Sequence, residues 1–278
     1  MSPINRRILS VFPFILLVGY LFISTPYNRN SEIQVTNSSQ EIVNYLQQTN
    51  STSCLLTHDF GGSVAWVVLD GQKAVCLDTQ VRPMPKKCLV YSFGVNNEWS
   101  FEDVMEKYGC DVYSFDPSMN RSDHDRSPKI HFFNYGLGGE DLIRQPNGWH
   151  LMTLSDLYRK MEERHGSGRV IDYLKIDIEF DEWIALPQIL QSGMLDRVRQ
   201  LGIEIHLPVN GTMEEIQERI NILKSIENYG MVRFDSKPNV FSEDYMASFN
   251  MESYWAYELA WYNNRLRREK RTSYKGAE

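Results

Sequence analysis

The chain has 278 residues, a formal net charge of −7 at pH 7 and 42% hydrophobic residues. Its length suits one domain of ordinary size with extensions, and its composition is that of a folded globular protein. The acidic balance argues against binding to nucleic acid, so we expect no nucleic-acid partner.

An apolar run without any charge, ILSVFPFILLVGYLFI, follows Arg6 and Arg7. Extended to residues 8–25, it reaches the lower limit of roughly 17–25 residues for a membrane-spanning helix. No small-residue cleavage site follows, which favours an uncleaved signal anchor over a signal peptide. Residues 1–7 would then be cytosolic and the rest lumenal. We expect a single-pass type II membrane protein of the endoplasmic reticulum or Golgi; secretion after signal cleavage is the alternative.

The segment 26–53 is polar and rich in Asn, Ser, Thr and Gln, which predicts a lumenal stalk with one short helix near residues 40–48. N-glycosylation sequons begin at Asn37, Asn50 and Asn210, and all three are predicted sites of a glycoprotein. The sequon at Asn120 lies close to the ligand site predicted below, so we do not expect its modification.

The four cysteines have no C-x-x-C spacing, which argues against a zinc or redox site. Cys88 precedes one strand and Cys110 opens the next, so the two residues should lie side by side at the amino ends of neighbouring parallel strands. This predicts a Cys88–Cys110 disulfide and leaves Cys54–Cys76 as the second, in keeping with a secretory compartment. The alternative is four reduced cysteines.

Residues 54–87 predict a small domain of short strands with a hairpin turn at Asp70-Gly71, placed before a main domain at 88–264. The main domain opens with a β-α-β unit. An apolar strand, 89–93, ends at Gly94, a helix follows with Ser100 as its expected cap, and a second strand ends at Asp116. A glycine at the first turn and an acid about twenty residues later suit a nucleoside-containing ligand. The chain has no G-x-G-x-x-G, so a dinucleotide lacks its phosphate loop.

Further strands are expected at 130–134, 170–178 and 201–207, with a final strand pair at 231–234 and 254–262 before a basic tail, 265–278. Helices are expected from Thr153 or Ser155 to about 165, at 182–191 and at 212–229. Two strands end in polar pairs, Asp177 with Glu179 and Glu204 with His206. Residues two apart on a strand face the same side, so these four groups should meet at the carboxyl edge of the sheet, as a site or as a structural network.

A polar loop contains Asp123-His124-Asp125. A D-x-D sequence holds the metal of some sugar-nucleotide glycosyltransferases, which makes such an enzyme a remote alternative. A solvated charged loop is the preferred interpretation, because no apolar strand flanks this motif.

Six blocks occur in order: CLVYSFG, SFEDVMEKYGC, VYSFDPSM, MTLSDL, IDYLKIDIE and QLGIEIHL. Together they resemble the membrane-anchored methyltransferase-like family typified by methyltransferase-like protein 24, which is related to FkbM-type methyltransferases. The resemblance implies an α/β, Rossmann-like class I fold with helices on both faces of a seven-stranded, mostly parallel sheet whose last strand is antiparallel. It also implies S-adenosylmethionine as cofactor.

The resemblance assigns roles to particular positions. Asp116 would hold the ribose hydroxyls of the cofactor, and Asp177 and Glu179 would lie beside the transferred methyl group. The family usually has glycine where this chain has Phe180, and a bulky residue there would narrow the substrate entrance. The remaining positions implied to contact the cofactor are Phe93, Gly94, Val95, Pro117, Gly136 and Leu137.

The chemistry implied is an in-line displacement in which a hydroxyl of a lumenal acceptor, such as a glycan, attacks the methyl group of the sulfonium while a base removes the proton. Glu204 or His206 is the expected base, with Asp177 and Glu179 as alternatives. A bound Mg²⁺ or Ca²⁺ that acidifies the hydroxyl is a variant of this mechanism, although no residue is assigned to a metal. A methyltransferase-fold binding protein without turnover is the alternative to an enzyme.

Overall fold

The computed structural model describes residues 39–50, 52–65 and 68–269. The predicted cytosolic segment 1–7, the predicted membrane helix 8–25, the sequon at Asn37 and the tail beyond residue 269 lie outside the described residues. Within the described ranges, no helix combines the length and apolar character needed to cross a bilayer.

The described residues contain five α-helices and seventeen strands. The helices are α1 Ser39–Gln47, α2 Ser100–Tyr108, α3 Leu154–His165, α4 Glu182–Gln191 and α5 Met213–Asn228. Short 3-10 helices occupy Pro117–Met119, Met194–Arg197, Val240–Ser242 and Asn264–Leu266. The strands are β1 Thr57–Phe60, β2 Ser63–Ala65, β3 Val68–Asp70, β4 Lys73–Cys76, β5 Leu89–Phe93, β6 Asp111–Phe115, β7 His124–Asp125, β8 Ile130–Phe133, β9 Gly136–Leu137, β10 Leu142–Arg144, β11 Trp149–Met152, β12 Tyr173–Ile176, β13 Gln200–His206, β14 Met231–Pro238, β15 Glu243–Met246, β16 Met251–Tyr254 and β17 Ala256–Asn263.

The central sheet has the strand order β14-β17-β13-β12-β5-β6-β8-β7. Strands β13, β12, β5, β6 and β8 are parallel, and β17 runs antiparallel to both of its neighbours. Without the two-residue edge strand β7, this is a seven-stranded sheet whose last strand is antiparallel. The fold class implied by the resemblance is therefore confirmed.

Both faces of the sheet are covered. Alternate residues of β5, such as Tyr91 and Val90, enter different apolar clusters, one formed with α1, α3, α4 and α5 and the other with α2 and β1. Strands β5 and β12 are buried along their whole length, which explains why their sequences, LVYSF and YLKI, are mostly apolar and do not alternate between polar and apolar residues.

Helix ends follow local capping chemistry. Thr153 caps α3 by accepting a hydrogen bond from Asp156 N, and Thr212 forms a capping box with Glu215 at the start of α5. The expected cap at Ser100 is wrong, because Ser100 is the first residue of α2 and lies one position too far along the chain. Its hydroxyl donates to Glu98 instead and accepts from Gly62 N.

The segment 54–87 contains two small antiparallel sheets, β1-β4 and β2-β3. The predicted hairpin at Asp70-Gly71 is wrong, because β3 and β4 on either side of this turn pair with different partners. Strand β4 packs against the antiparallel end of the central sheet. The side chain of Gln200 bonds both backbone polar groups of Cys76, which fixes β4 against β13.

Helix α1 differs from the stalk prediction. Ile42, Val43 and Leu46 are buried in the main apolar cluster, and Arg233 Nη1 donates to the carbonyl of Tyr45 at 2.7 Å. The apolar i, i+1, i+4 spacing of these residues gives the helix a face to bury. The described residues from Ser39 onward are thus part of the fold. The stalk predicted for 26–53 would have to end before Ser39.

Disulfides join Cys54 to Cys76 and Cys88 to Cys110. These are the two pairs that the strand positions predict. Among the predicted glycosylation sites that the structure describes, Asn50 and Asn210 are exposed. Their modification stays a prediction.

Candidate functional site

A cavity of about 410 Å³ opens at the carboxyl edge of β5, β6, β12 and β13. Every predicted site residue except Phe93 lines it. Phe93 is fully buried and stacks on Phe115 with ring centroids 4.8 Å apart, so it supports the cavity from the core. One side of the cavity is apolar, formed by Phe115, Pro117, Leu137, Trp149 and Leu151, and the other carries the carboxylates and His206.

Gly94 is required by the protein itself. Its φ of +77° lies in the left-handed region, and a Cβ atom there would come 1.6 Å from the carbonyl oxygen of Asp177. The chain after β5 thus passes directly over the chain after β12. Lys175 Nζ fixes this crossing by donating to the Gly94 carbonyl at 2.6 Å. The sequence predicts that Gly94 lets a ligand approach the backbone. In the structure, the segment that approaches Gly94 is the backbone at Asp177.

Asp116 is buried and organises the loop after β5. Its Oδ2 accepts hydrogen bonds from Val95 N at 2.9 Å and Asn96 N at 2.7 Å. Its Oδ1 accepts from the backbone N and the hydroxyl of Ser118. A carboxylate offers about four acceptor positions, so all of them are engaged within the protein. Binding of ribose hydroxyls here requires exchange of at least one of these bonds.

Gly136 and Leu137 form β9, which pairs with β11. A Cβ atom at Gly136 would come 2.5 Å from the Leu151 side chain, so a larger residue would push the apolar wall apart. Leu137 and Leu151 lie in this wall beside Pro117. The arrangement gives a flat apolar ligand group a slot next to Asp116.

The prediction that Asp177 and Glu179 share a strand face is wrong, because β12 ends at Ile176. Asp177 N still bonds the Phe93 carbonyl, but Glu179 has a φ of 55° and a side chain that is 77% exposed. A turn, and not strand alternation, brings Glu179 Oε2 to 3.7 Å from His206 Nε2. The two acids therefore reach the same cavity by different routes.

Glu204 and His206 do lie two apart on β13, and both are buried and line the cavity. Glu204 accepts a hydrogen bond from Asn239 Nδ2 at 2.8 Å. His206 Nδ1 lies 2.9 Å from Oε1 of Glu182, which is fully buried at the first turn of α4. Burial disfavours the imidazolium, but the hydrogen bond and charge of Glu182 outweigh it and raise the pKa of His206 to about 9.

Lys73 forms the centre of a buried charge cluster. Its ammonium donates to Glu258 and to Asp177 at 3.4 Å, and lies 3.8 Å from Glu204. These three carboxylates overcome the effect of burial and raise the pKa of Lys73 above its ordinary value. Burial, with the neighbouring carboxylates, raises the pKa of Glu258 to about 8. The lysine thus stays charged, and Glu258 takes up a proton at a higher pH than an ordinary carboxyl does.

The protein-family model described as "Methyltransferase domain" matches residues 22–251. The chain belongs to this methyltransferase-domain family. It is 28% identical over 215 residues to methyltransferase-like protein 24 of Rattus norvegicus, a match that covers 69% of this chain and 56% of that protein. The human methyltransferase-like protein 24 matches equally well over 214 residues. The chain thus spans little more than half the length of these curated relatives.

Solved structures also resemble the domain, at lower similarity. A Streptococcus mutans protein described as a methyltransferase, in complex with SAH, has 10% identity and a TM-score of 0.35, covering 65% of this chain and 88% of that one. A SAM-dependent methyltransferase from Agrobacterium tumefaciens has 13% identity and a TM-score of 0.33, covering 67% of this chain and 58% of that one.

In this methyltransferase-domain chain, one group of residues that line the cavity could bind a metal ion. Single ligand atoms of Asp177, Glu179 and His206 lie within 4.8 Å of one another. The ammonium of Lys73 already neutralises Asp177, and Glu182 already engages His206 Nδ1. The D-x-D loop is separate: Asp125 pairs with His131 and Arg164, Asp123 accepts from Asn134 N, and neither lines the cavity.

Five further residues in or beside the cavity were not predicted from the sequence: Lys73, Glu182, Glu258, Asn239 and Trp255. Two of these carry a signal that could have found them. Lys73 and Glu258 each stand in an apolar strand, in GQKAVC and AYELAWY. A charge inside a strand buried on both faces is costly unless it is paired. A lysine in one such strand and a glutamate in another are therefore expected to form an ion pair.

Proposed function

We propose that this domain is an S-adenosylmethionine-dependent methyltransferase that methylates a hydroxyl group. The observation that carries the proposal is the single cavity that joins an apolar slot beside Asp116 to a histidine backed by a buried carboxylate. The first feature suits the nucleoside part of the cofactor, and the second suits removal of a proton from an acceptor. Family membership supports the reaction class.

The residues present fit the cofactor. Pro117, Leu137 and Leu151 offer an apolar surface for a purine, and the carboxylate of Asp116 ends β6 beside it. Acidic groups at the other side, Asp177 and Glu179, suit a positively charged sulfonium. S-adenosylmethionine, when bound, supplies the activated methyl group, so the protein's own tasks are alignment and proton removal.

His206 is the proposed base. Glu182 accepts the hydrogen bond from Nδ1–H and thereby leaves Nε2 to take the acceptor proton. With a pKa of about 9, the imidazole is charged at neutral pH, and its basic form gains population as the pH approaches 9. As the hydroxyl oxygen takes up the methyl group, with S-adenosylhomocysteine as the leaving group, the hydroxyl proton would pass to Nε2 and then to solvent. Glu204, two residues away, would be the secondary acceptor of that proton.

The proposed compartment is the lumen of the endoplasmic reticulum or Golgi, reached by a type II anchor at residues 8–25, with secretion as the alternative. Two disulfides in a chain without a free cysteine support an oxidising compartment. In that location the acceptor would be a lumenal hydroxylated molecule, such as a glycan.

A methyltransferase-fold binding protein without turnover is the second candidate. This alternative is favoured by the hydrogen bonds of Asp116. Its carboxylate already accepts four of them within the protein and has no acceptor position left for the ribose of a cofactor. No described residue favours the glycosyltransferase alternative, since Asp123 and Asp125 lie outside the cavity.

Calorimetric titration of the full-length protein with S-adenosylhomocysteine tests the cofactor site, and incubation with methyl-labelled S-adenosylmethionine and lumenal extracts tests transfer. We expect micromolar binding and label on an acceptor. Binding without any label would favour the second candidate. A folded protein that binds neither compound would refute both.

A further inference from the structure

Two consecutive residues between β12 and α4, Glu179 in the cavity lining and Phe180 just outside it, have left-handed backbone conformations. Glu179 has a φ of 55° and Phe180 a φ of 74°. Residues with a Cβ atom are sterically disfavoured in this region, and a bulky aromatic residue there is an outlier. Glycine would adopt the same conformation freely. The backbone conformation at position 180 thus favours glycine, and the chain nevertheless carries phenylalanine there.

The surrounding structure imposes this conformation from both sides. Before the pair, Asp177 N bonds the Phe93 carbonyl. After it, Asp181 accepts from Arg144 Nη2 at 2.9 Å, and Glu182 is bonded to the backbone and ring of His206. Strained residues persist only where neighbouring contacts over-determine them, and they concentrate at functional sites.

Phe180 adds nothing to the apolar core, because 43% of it is exposed. Its ring instead lies beside His206, with centroids 5.3 Å apart. Trp255 is also close to the imidazole, with centroids 5.9 Å apart, and it lines the cavity. Two aromatic rings therefore lie close to the proposed base, Trp255 in the cavity lining and Phe180 just outside it.

The charges at this end select against anions. Asp177, Glu179 and Glu204 all line the cavity. The ammonium of Lys73, which is 1% exposed, is engaged by carboxylates and is not presented to a ligand. The imidazolium of His206 and the ammonium of Lys175 also line the cavity, but the carboxylates outnumber them, so a carboxylate, sulfate or phosphate on the acceptor would meet a net negative charge.

We infer that Phe180 is a specificity-determining residue, which acts with Trp255 to hold an uncharged ring bearing a hydroxyl group against His206. For the methylation of the hydroxyl group held in this way, the inference rests on the proposed function. An aromatic side chain offers a flat apolar surface to one face of a ring, whether a sugar or a phenol, and leaves its hydroxyl free to contact Nε2. The strained backbone is needed because it directs the Phe180 ring toward the imidazole and away from the core.

The first arm of the test compares melting temperatures of Phe180→Ala and Phe180→Gly. Both variants lose the ring, and only glycine relieves the left-handed backbone, so the glycine variant should melt about 2–4 °C higher. Lys86 is a matched control, since it is exposed, has a φ of 67° and does not line the cavity. Lys86→Gly should likewise melt above Lys86→Ala. Equal melting of the two Phe180 variants would remove the strain argument.

The second arm titrates isotope-labelled full-length protein with methyl β-glucopyranoside and, separately, with phenol, and follows the Trp255 indole and His206 ring signals by NMR. We expect one of the two compounds to shift both signals in the wild type, which identifies the ring class. Phe180→Ala should weaken that binding about tenfold, in line with an aromatic contact, and Lys86→Ala should not. Failure of both compounds to bind the wild type, or equal binding by Phe180→Ala, would overturn the inference.

Titration of the same proteins with S-adenosylhomocysteine separates this inference from the proposed function. Phe180→Ala should bind it within about twofold of the wild type, because Phe180 is not in the apolar slot. Ring binding without S-adenosylhomocysteine binding would refute the proposed function alone.

Discussion

Oε1 of Glu182 accepts hydrogen bonds from both the backbone nitrogen and the Nδ1 atom of His206, at 2.7 and 2.9 Å. Glu182 has no exposed surface and His206 is 3% exposed. This one carboxylate therefore ties the first turn of α4 to the last residue of β13. It also fixes the orientation of the imidazole, whose other nitrogen, Nε2, lies nearest to the exposed acid Glu179.

Replacing Glu182 by Gln should lower the pKa of His206 from about 9 toward its ordinary value of 6.5. In the wild type the folded-state pKa is the higher one, so the stabilisation is fully present below pH 6.5 and is lost as the pH rises through 9. A difference of this size corresponds to about 3 kcal/mol. NMR titration of His206, with urea unfolding at pH 6 and pH 10, measures both effects.

Glu179→Gln is the control for this experiment. Its carboxylate is exposed to solvent, so its removal should change the pKa of His206 by about half a unit or less. A wild-type histidine that titrates near 6.5, or an equal response to both substitutions, would show that Glu182 does not control the imidazole.

Lys73→Met should destabilise the protein by about 3–5 kcal/mol, because it leaves Glu258, Asp177 and Glu204 without their cation. Adding Glu258→Gln to the same chain should recover part of this loss. Lys129→Met, in a partly exposed ion pair with Asp111, should cost about 1 kcal/mol or less. Urea unfolding at pH 7 compares the three variants. Equal losses for Lys73 and Lys129 would contradict the buried cluster.

Gly94→Ala and Gly148→Ala form a matched pair with φ values of +77° and +72°. The second site has no atom within 4 Å of the added Cβ, so it should cost only the left-handed strain of about 1–2 kcal/mol. The first must also displace the Asp177 carbonyl, so it should cost roughly 3 kcal/mol or more and disrupt the cavity. Thermal melts and S-adenosylhomocysteine titration measure the difference. Two equal losses would mean that the chain crossing relaxes easily.

Asp116→Asn replaces an oxygen that accepts hydrogen bonds by an NH₂ group that donates them. We expect the loop at 94–96 to lose its anchor, a stability loss of about 1–3 kcal/mol and at least tenfold weaker binding of S-adenosylhomocysteine. Asp123→Asn in the exposed D-x-D loop should change neither. Amide exchange of Val95 and Asn96 distinguishes a loosened loop from a lost ligand contact. If exchange is unchanged while binding is lost, Asp116 acts on the ligand directly.

Non-reducing peptide mapping should recover Cys54 linked to Cys76 and Cys88 linked to Cys110. Each bond closes a 22-residue separation, which predicts about 3 kcal/mol of stabilisation from restriction of the unfolded chain. Removing the first pair should also loosen β4 and with it Lys73, three residues before Cys76. Free thiols in the secreted or lumenal protein, or exchanged partners, would contradict this pairing.

Much of the fold could be predicted from the sequence because the strong signals are local. The strand from Leu89 to Phe93 is apolar except for Ser92, and its bounds agree with β5. The helix predicted at 182–191 has the bounds of α4, and the helix predicted from residue 212 starts at Thr212, the N-cap of α5. At Asp70-Gly71 the local turn signal was strong and the hairpin prediction still failed, because strand pairing depends on distant partners.

The site could be predicted only in part. That Glu204 and His206 lie on one face of a strand could be predicted, because side chains alternate between the two faces along any strand. The sequence could not place Glu179, because the end of β12 and the left-handed turn after it are set by packing against Phe93, Arg144 and His206.

By itself the sequence determined the class of fold, the order of its strands and helices, the family and the edge of the sheet at which polar groups collect. These follow from periodicity, capping residues and short motifs, all of which act within a few neighbouring residues. Only the tertiary structure decided that Lys73 from the segment before the main domain neutralises the sheet edge, that Glu182 orients His206, and that Phe180 lies over the imidazole. Those contacts join residues far apart in the chain, and charges buried together are specified by the space they share.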